Sequence, residues 1–132
     1  MSIPCEVVVK CLLPAVRAMI AKKLATKYHM KQIEVAKLLK VSQPAISLYY
    51  RKIRGKAMNL ENDREVTQLI EKFADSLAKN ELSHEDFMLK FCEICTVIRA
   101  KGLMCRLHKT FDPDVDVENC RICTLKAGLC PK

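Results

Sequence analysis

The chain has 132 residues, half of them hydrophobic, which suffices for one or two small domains with a core; no apolar run is long enough to span a membrane. Three glycines and five prolines argue against an all-β or low-complexity chain, and the wealth of Ala, Leu, Lys, Glu and Met favours helix. The net charge of +8 is lopsided: residues 1–57 hold 12 Lys+Arg against 2 Asp+Glu, and residues 58–132 hold 11 against 13, so the basic excess lies wholly in the first half, as in a polyanion-binding domain joined to an ordinary one.

In chain order, residues 4–11 predict a short helix. Pro14 suits the first turn of a longer one over 14–28, in which Val16, Met19, Ile20 and Leu24 fall at helical spacing. The apolar stretch 7–20 is broken by Lys10, Pro14 and Arg17. It lacks a basic lead-in and a small-residue cleavage site, so no signal peptide is read and a cytoplasmic location is expected. A helix over 31–39 carries Ile33, Ala36, Leu38 and Leu39, with a break near Lys40 and Val41. Ser42 is a good N-cap for the next helix and Pro44 fits its first turn; this helix is expected to reach about residue 54 and stop at Gly55.

Residues 56–63 are polar and turn-like and mark the expected boundary between a domain over 1–57 and another over 58–132. Across 64–79, Val66, Leu69, Ile70, Phe73, Ala74 and Leu77 form one apolar stripe, which suits docking of the second domain or dimerisation. Ser83 with Asp86 starts a further helix bearing Phe87, Phe91, Val97 and Ile98, ended by Gly102. Beyond it, Asp112-Pro113-Asp114 and residues 115–119 read as irregular. The expected fold is all-α: a helix-turn-helix bundle, two amphipathic helices and a small Cys-rich tail.

The helices over 31–39 and from Ser42 onward meet the requirements of a DNA-reading helix-turn-helix. Ala36 supplies a small residue at the helix crossing, and Ile33, Leu39, Val41, Ile46 and Tyr49 or Tyr50 lock the second helix onto the first. Laid in the major groove, that second helix turns Gln43, Pro44, Ala45, Ser47 and Leu48 outward. Gln43 suits an adenine edge and Ala45 a thymine methyl. Ser42, Ser47, Arg51, Lys52 and Arg54 would hold phosphates, which set affinity and register rather than sequence choice. Gln32 is placed with them on the DNA side. The aromatic platform usual for single-stranded RNA is lacking.

Residues 14–56, and 32–50 above all, resemble the helix-turn-helix of the phage Cro-and-repressor type, the XRE family, through Gln32-x3-Ala36 and Val41-Ser42-Gln43-x2-Ile46-Ser47. Two positions depart from that pattern. Lys40 stands where many members have a turn glycine, which implies either a strained turn or a left-handed lysine at modest cost. Tyr49-Tyr50-Arg51 stands where many have an acidic residue. The whole chain is also similar to archaeal predicted transcriptional regulators that append a cysteine-rich tail. The resemblance implies transcriptional regulation through double-stranded DNA.

Six of eight cysteines fall late in the chain, as Cys92-x2-Cys95, Cys105, Cys120-x2-Cys123 and Cys130. In a reducing compartment this pattern suggests metal ligands or redox groups rather than disulfides. Four thiolates suit zinc or a 4Fe–4S cluster. The first pair lies in a helical pattern with both sulfurs on one face, not on glycine-bearing turns. Cys130 is followed by Pro131, and six cysteines exceed one tetrahedral site, so the cluster is the preferred expectation and zinc the alternative. Cys92, Cys95, Cys120 and Cys123 are the first-choice ligands; Cys105 and Cys130 are replacements, and His108 pairs with Cys105 at ligand spacing. Cys5 and Cys11 are set aside as small buried hydrophobes.

The expected protein is therefore a DNA-binding regulator and not an enzyme: no phosphate-binding loop, dinucleotide fingerprint or nucleophile–base grouping is read, and no small-molecule substrate is evident. A homodimer is expected, since dimeric readers span half-sites about 34 Å apart. Two rivals stand beside redox, oxygen or iron sensing: a purely structural zinc site, and a CxxC thiol oxidoreductase using Cys92 and Cys95.

Overall fold

The computed structural model describes residues 8–51 and 60–103. Every regular element among them is helical, so the fold is all-α. The elements are α1 (Leu13–Tyr28), α2 (Gln32–Leu39), α3 (Gln43–Tyr50), α4 (Arg64–Ala78) and α5 (His84–Ala100), with a π-helical turn, Val8–Leu12, leading into α1. The expected separation of a first short helix from α1 is not seen within the described residues. Leu12 has helical angles (φ −70°, ψ −51°), so the π turn runs directly into α1. Pro14 explains the widening: its ring crowds the carbonyl four residues earlier, and a looser turn gives that carbonyl room.

α1 is the hub. Its buried residues Pro14, Ala15, Val16, Ile20, Ala21 and Leu24 lie on more than one side of the helix, and it packs against α2, α3 and α4. A helix apolar on several sides belongs in an interior. α4 docks on α1 through Val66, Ile70, Phe73, Ala74 and Leu77, so the predicted stripe is used inside the chain and is not exposed to a second one. α5 packs on α4 and buries Ile94, Cys95 and Ile98. Residues on both sides of position 57 thus share one core.

Side-chain caps start three of the helices, two of them, at Ser42 and Ser83, where the sequence places them, and one at Asp63, which the sequence reading left in the turn. Ser42 Oγ accepts from the Ala45 amide at 3.3 Å, Asp63 Oδ1 from Val66 at 3.0 Å and Ser83 Oγ from Asp86 at 3.1 Å. Each satisfies an amide that the first helical turn leaves without an intrahelical partner. Left-handed residues close three helices or the turns just after them: His29 (φ 53°), Lys40 (φ 59°) and Asn80 (φ 55°). Gly102 (φ 71°) follows α5, as expected from its lack of a Cβ.

Polar links join the basic front half to the acidic helices behind it. Lys22 Nζ lies 3.2 Å from Glu61, and Lys27 Nζ lies 3.4 Å from Glu71 and 2.9 Å from Asp75. Tyr28 donates its hydroxyl to Asp75 at 2.5 Å, and Tyr50 donates to the Ala21 carbonyl at 3.4 Å. Lys101 bridges Asp63 and Glu65, tying the end of α5 to the start of α4.

Candidate functional site

α2 and α3 form a tight pair. The amide of Val41 donates to the Ala36 carbonyl at 3.0 Å, and the Lys40 amide reaches the carbonyls of Ala36 and Lys37. The chain leaves α2 at Lys40 and enters α3 after Ser42. Val35, Ala36 and Leu39 are buried from α2, and Ala45, Ile46 and Tyr49 from α3. Val41 is half-buried against them.

Two residues differ from expectation. Ile33 is 51% exposed and does not lock the pair; Val35 takes that place. The reason is angular: Val35, Ala36 and Leu39 define the inner face, and Ile33 lies two residues before Val35, about 200° around the helix. Ala45 is only 7% exposed and belongs to the core, so its methyl is not presented outward. It stands four residues before Tyr49 on the same inner face.

The remaining positions of α3 form a continuous outer strip. Gln43, Ser47 and Arg51 follow one another at four-residue intervals, with Pro44 and Leu48 beside them. Gln43, Pro44, Arg51 and the N-cap Ser42 are exposed; Ser47, Leu48 and Gln32 are half-buried. Lys52 and Arg54, also expected at phosphates, lie outside the described residues.

The segment that carries this strip is one-sided in charge. Glu34 is the single acidic residue between positions 8 and 51. Lys31, Lys37 and Arg51 are exposed and form no ion pair among the described residues. Sequence reasoning did not single out Lys31 and Lys37; the exposure of Lys37 follows from the helix angle that buries Val35 and Leu39. It also treated the basic excess as one block. Lys22 and Lys27 instead face acidic residues of the second half, so part of the excess is neutralised within the fold.

The Lys27–Tyr28–Asp75 group shifts all three members. The Tyr28 hydroxyl, and then Lys27, hold the Asp75 carboxyl below its ordinary value. The hydrogen bond to Asp75 in turn raises Tyr28 and Lys27. At the start of α4, the Val66 amide, followed by Lys101, holds Asp63 low. Burial pushes up the Cys11 thiol and the Tyr50 phenol. These groups support the scaffold and are distinct from the outer strip of α3.

The CxxC pair on α5 is unevenly placed. Cys92 is exposed, whereas Cys95 is 9% exposed and sits with Ile94 and Ile98 in the core. Three residues leave the two side chains about 60° apart around the helix, so they share one side of it as expected and differ in burial. Among the described residues, no three His, Cys, Asp or Glu side chains converge as a metal site. Cys105, Cys120, Cys123, Cys130 and His108 lie outside the described residues. His29 and His84 are exposed.

The chain matches no protein-family model, and no curated protein or solved structure is significantly similar to it. No helix among the described residues is long and apolar enough to cross a membrane.

Proposed function

We propose that this protein is a transcriptional regulator that binds double-stranded DNA through a helix-turn-helix of the XRE type, with α3 as its recognition helix. The observation that carries this reading is the outer strip of α3, with exposed Gln43 and Arg51, in a segment (residues 8–51) that holds one acidic residue and in which Lys31 and Lys37 are also exposed. Gln43 stands at the helix N-terminus, where side chains of a groove-bound helix reach base edges; its amide matches the donor and acceptor of adenine. Arg51, at the opposite end, suits a phosphate. Ser42 keeps its capping bond and remains exposed on the same side.

The cysteines form the second part of the proposal. Cys92 and Cys95 join Cys120 and Cys123, with Cys105 and Cys130 in reserve, as thiolate ligands of a 4Fe–4S cluster; zinc is the alternative occupant. Exposed Cys92 suits such a role because an arriving metal reaches it without opening the core. When bound, a cluster supplies sensitivity to redox state, oxygen or iron, whereas zinc supplies only a scaffold. The active species is a cytoplasmic homodimer that sets two recognition helices on successive half-sites.

Titration against random and selected duplexes at several salt concentrations tests the first part. Binding is expected to weaken steeply with salt. Gln43→Ala should lose about 1–3 kcal/mol of discrimination, while Arg51→Ala should weaken all duplexes alike and lower the salt slope by about one. Unchanged binding in both variants rejects α3 as the reading element. Metal analysis of anaerobically purified protein tests the second part: iron with broad visible absorbance supports the cluster, colourless zinc-loaded protein supports the scaffold, and neither metal removes the site.

A further inference from the structure

Three left-handed residues lie at the ends of helices or just past them, and one is chemically out of place. Among residues other than glycine, asparagine and histidine enter the left-handed region several-fold more readily than most, which accounts for Asn80 and His29. Lys40 (φ 59°, ψ 40°) has no such excuse, because its Cβ crowds the following carbonyl without a short polar side chain to compensate. Its side chain, however, is engaged far along the sequence. Lys40 Nζ lies 2.6 Å from His84 Nδ1 and 4.8 Å from the centre of the Phe87 ring, both on the first turn of α5. An ammonium can donate to an unprotonated ring nitrogen while resting over an aromatic face.

Phe87 is itself anchored. Its ring meets Phe73 of α4 at 5.4 Å and Phe91 at 6.0 Å, and Arg17 of α1 lies 5.8 Å from the centre of the Phe91 ring. The first half of α5 is thereby attached to α1, to α4 and to the short turn that aims α3. The same helix carries Cys92 and Cys95, five and eight residues after Phe87.

We infer that Lys40 is a positioning residue, a clasp through which α5, the helix bearing Cys92 and Cys95, sets the placement of α3. Its relevance to DNA rests on the function proposed above, but the clasp itself can be measured without DNA. Left-handed Lys40 fixes the direction in which the chain leaves α2. Its contacts with His84 and Phe87 favour that backbone geometry and make the turn respond to any shift of α5. Glycine in its place would accept the same backbone angles and sever the connection.

Amide hydrogen exchange, read residue by residue, tests the clasp in the full chain. His84→Ala and Phe87→Leu are expected to speed exchange over residues 41–46 by about threefold to tenfold, the size of a lost cation–π contact or hydrogen bond. Exchange at Val16, Ile20 and Leu24 serves as the measure of global stability and should stay unchanged in His84→Ala, whose side chain is exposed. Lys40→Gly should speed the same segment, and adding His84→Ala or Phe87→Leu to it should produce no further change. Lys40→Arg, which keeps a cation over the ring, should restore most of the protection. Unaltered exchange over 41–46 in the α5 variants, or independent effects that multiply in the Lys40→Gly background, would overturn the inference. Duplex affinity should fall by the same factor as local protection. A wild-type protein that protects this turn through α5 yet binds no duplex would end the DNA-binding reading and leave the clasp standing.

Discussion

The α2–α3 and α4–α5 pairs are built from the same parts, and they use them differently. Each has a left-handed residue in its connection and a serine cap on its second helix: Lys40 and Ser42 in one, Asn80 and Ser83 in the other. In α4–α5 the left-handed residue is an asparagine, which the backbone tolerates readily, and the contacts are mainly hydrophobic and aromatic. In α2–α3 it is a lysine held from outside by α5, and the second helix leaves a polar strip uncovered. The contrast separates a connection settled by its own residues from one held by a distant helix. A turn that looks like a local matter in the sequence is, at Lys40, a tertiary contact.

The shared core gives the sharpest way to test how far the two pairs are independent. Ile46 of α3 and Ile70 of α4 are both fully buried. Replacing either with alanine is expected to cost about 2–5 kcal/mol. Urea unfolding followed by signals from each half should show one transition, shifted alike by both substitutions. Two separated transitions, each moved by only one of them, would show that the halves fold apart.

The serine caps give a smaller and more local comparison. Ser42→Ala and Ser83→Ala should each cost about 1 kcal/mol in the same unfolding measurement. Only Ser42→Ala should also disturb duplex binding, since Ser42 shapes the start of α3. Equal effects of the two on binding would mean that general stability, not the geometry of α3, controls affinity.

Acid provides the smallest expected effect, and its sign follows from Asp75. Tyr28 and Lys27 hold the folded carboxyl below its ordinary value of 3.8. The stabilisation is therefore present above that value and is lost as pH falls through the lower folded value. Stability measured from pH 6 downward, with about two pH units below the ordinary carboxylate range included, should decline less in Tyr28→Phe than in the parent chain. Identical pH curves would remove Asp75 as a contributor to the joint between α1 and α4.

Much of the scaffold was legible in the residues themselves. Of the six apolar positions at helical spacing on α4, five are buried in the core and Leu69 is half-buried against it. Ser42 and Ser83 cap the helices they precede because short hydroxyl side chains reach the amide three residues on. Within α3 the alternation was harder to read, since Ala45 is small enough for either face; its burial is decided by α1 and α2, not by its own chemistry. Ile33 shows the converse: a large apolar residue left exposed because its neighbours Val35 and Leu39 set the angle of the helix. Charge totals located the basic half but not its internal pairing, because the partners of Lys22 and Lys27 lie 39 to 48 residues away. The uneven CxxC pair escaped for a related reason: spacing gives the angle between two side chains, while burial depends on where α4 lies.

The central place of α1 carries a consequence for how the chain is made. α1 is synthesised well before α4, yet the two bury their apolar surfaces against each other. Until residues 66–77 have left the ribosome, one side of α1 lacks the cover that α4 gives it. The nascent chain must therefore keep that greasy surface from straying neighbours, and the finished core closes only when its later half arrives.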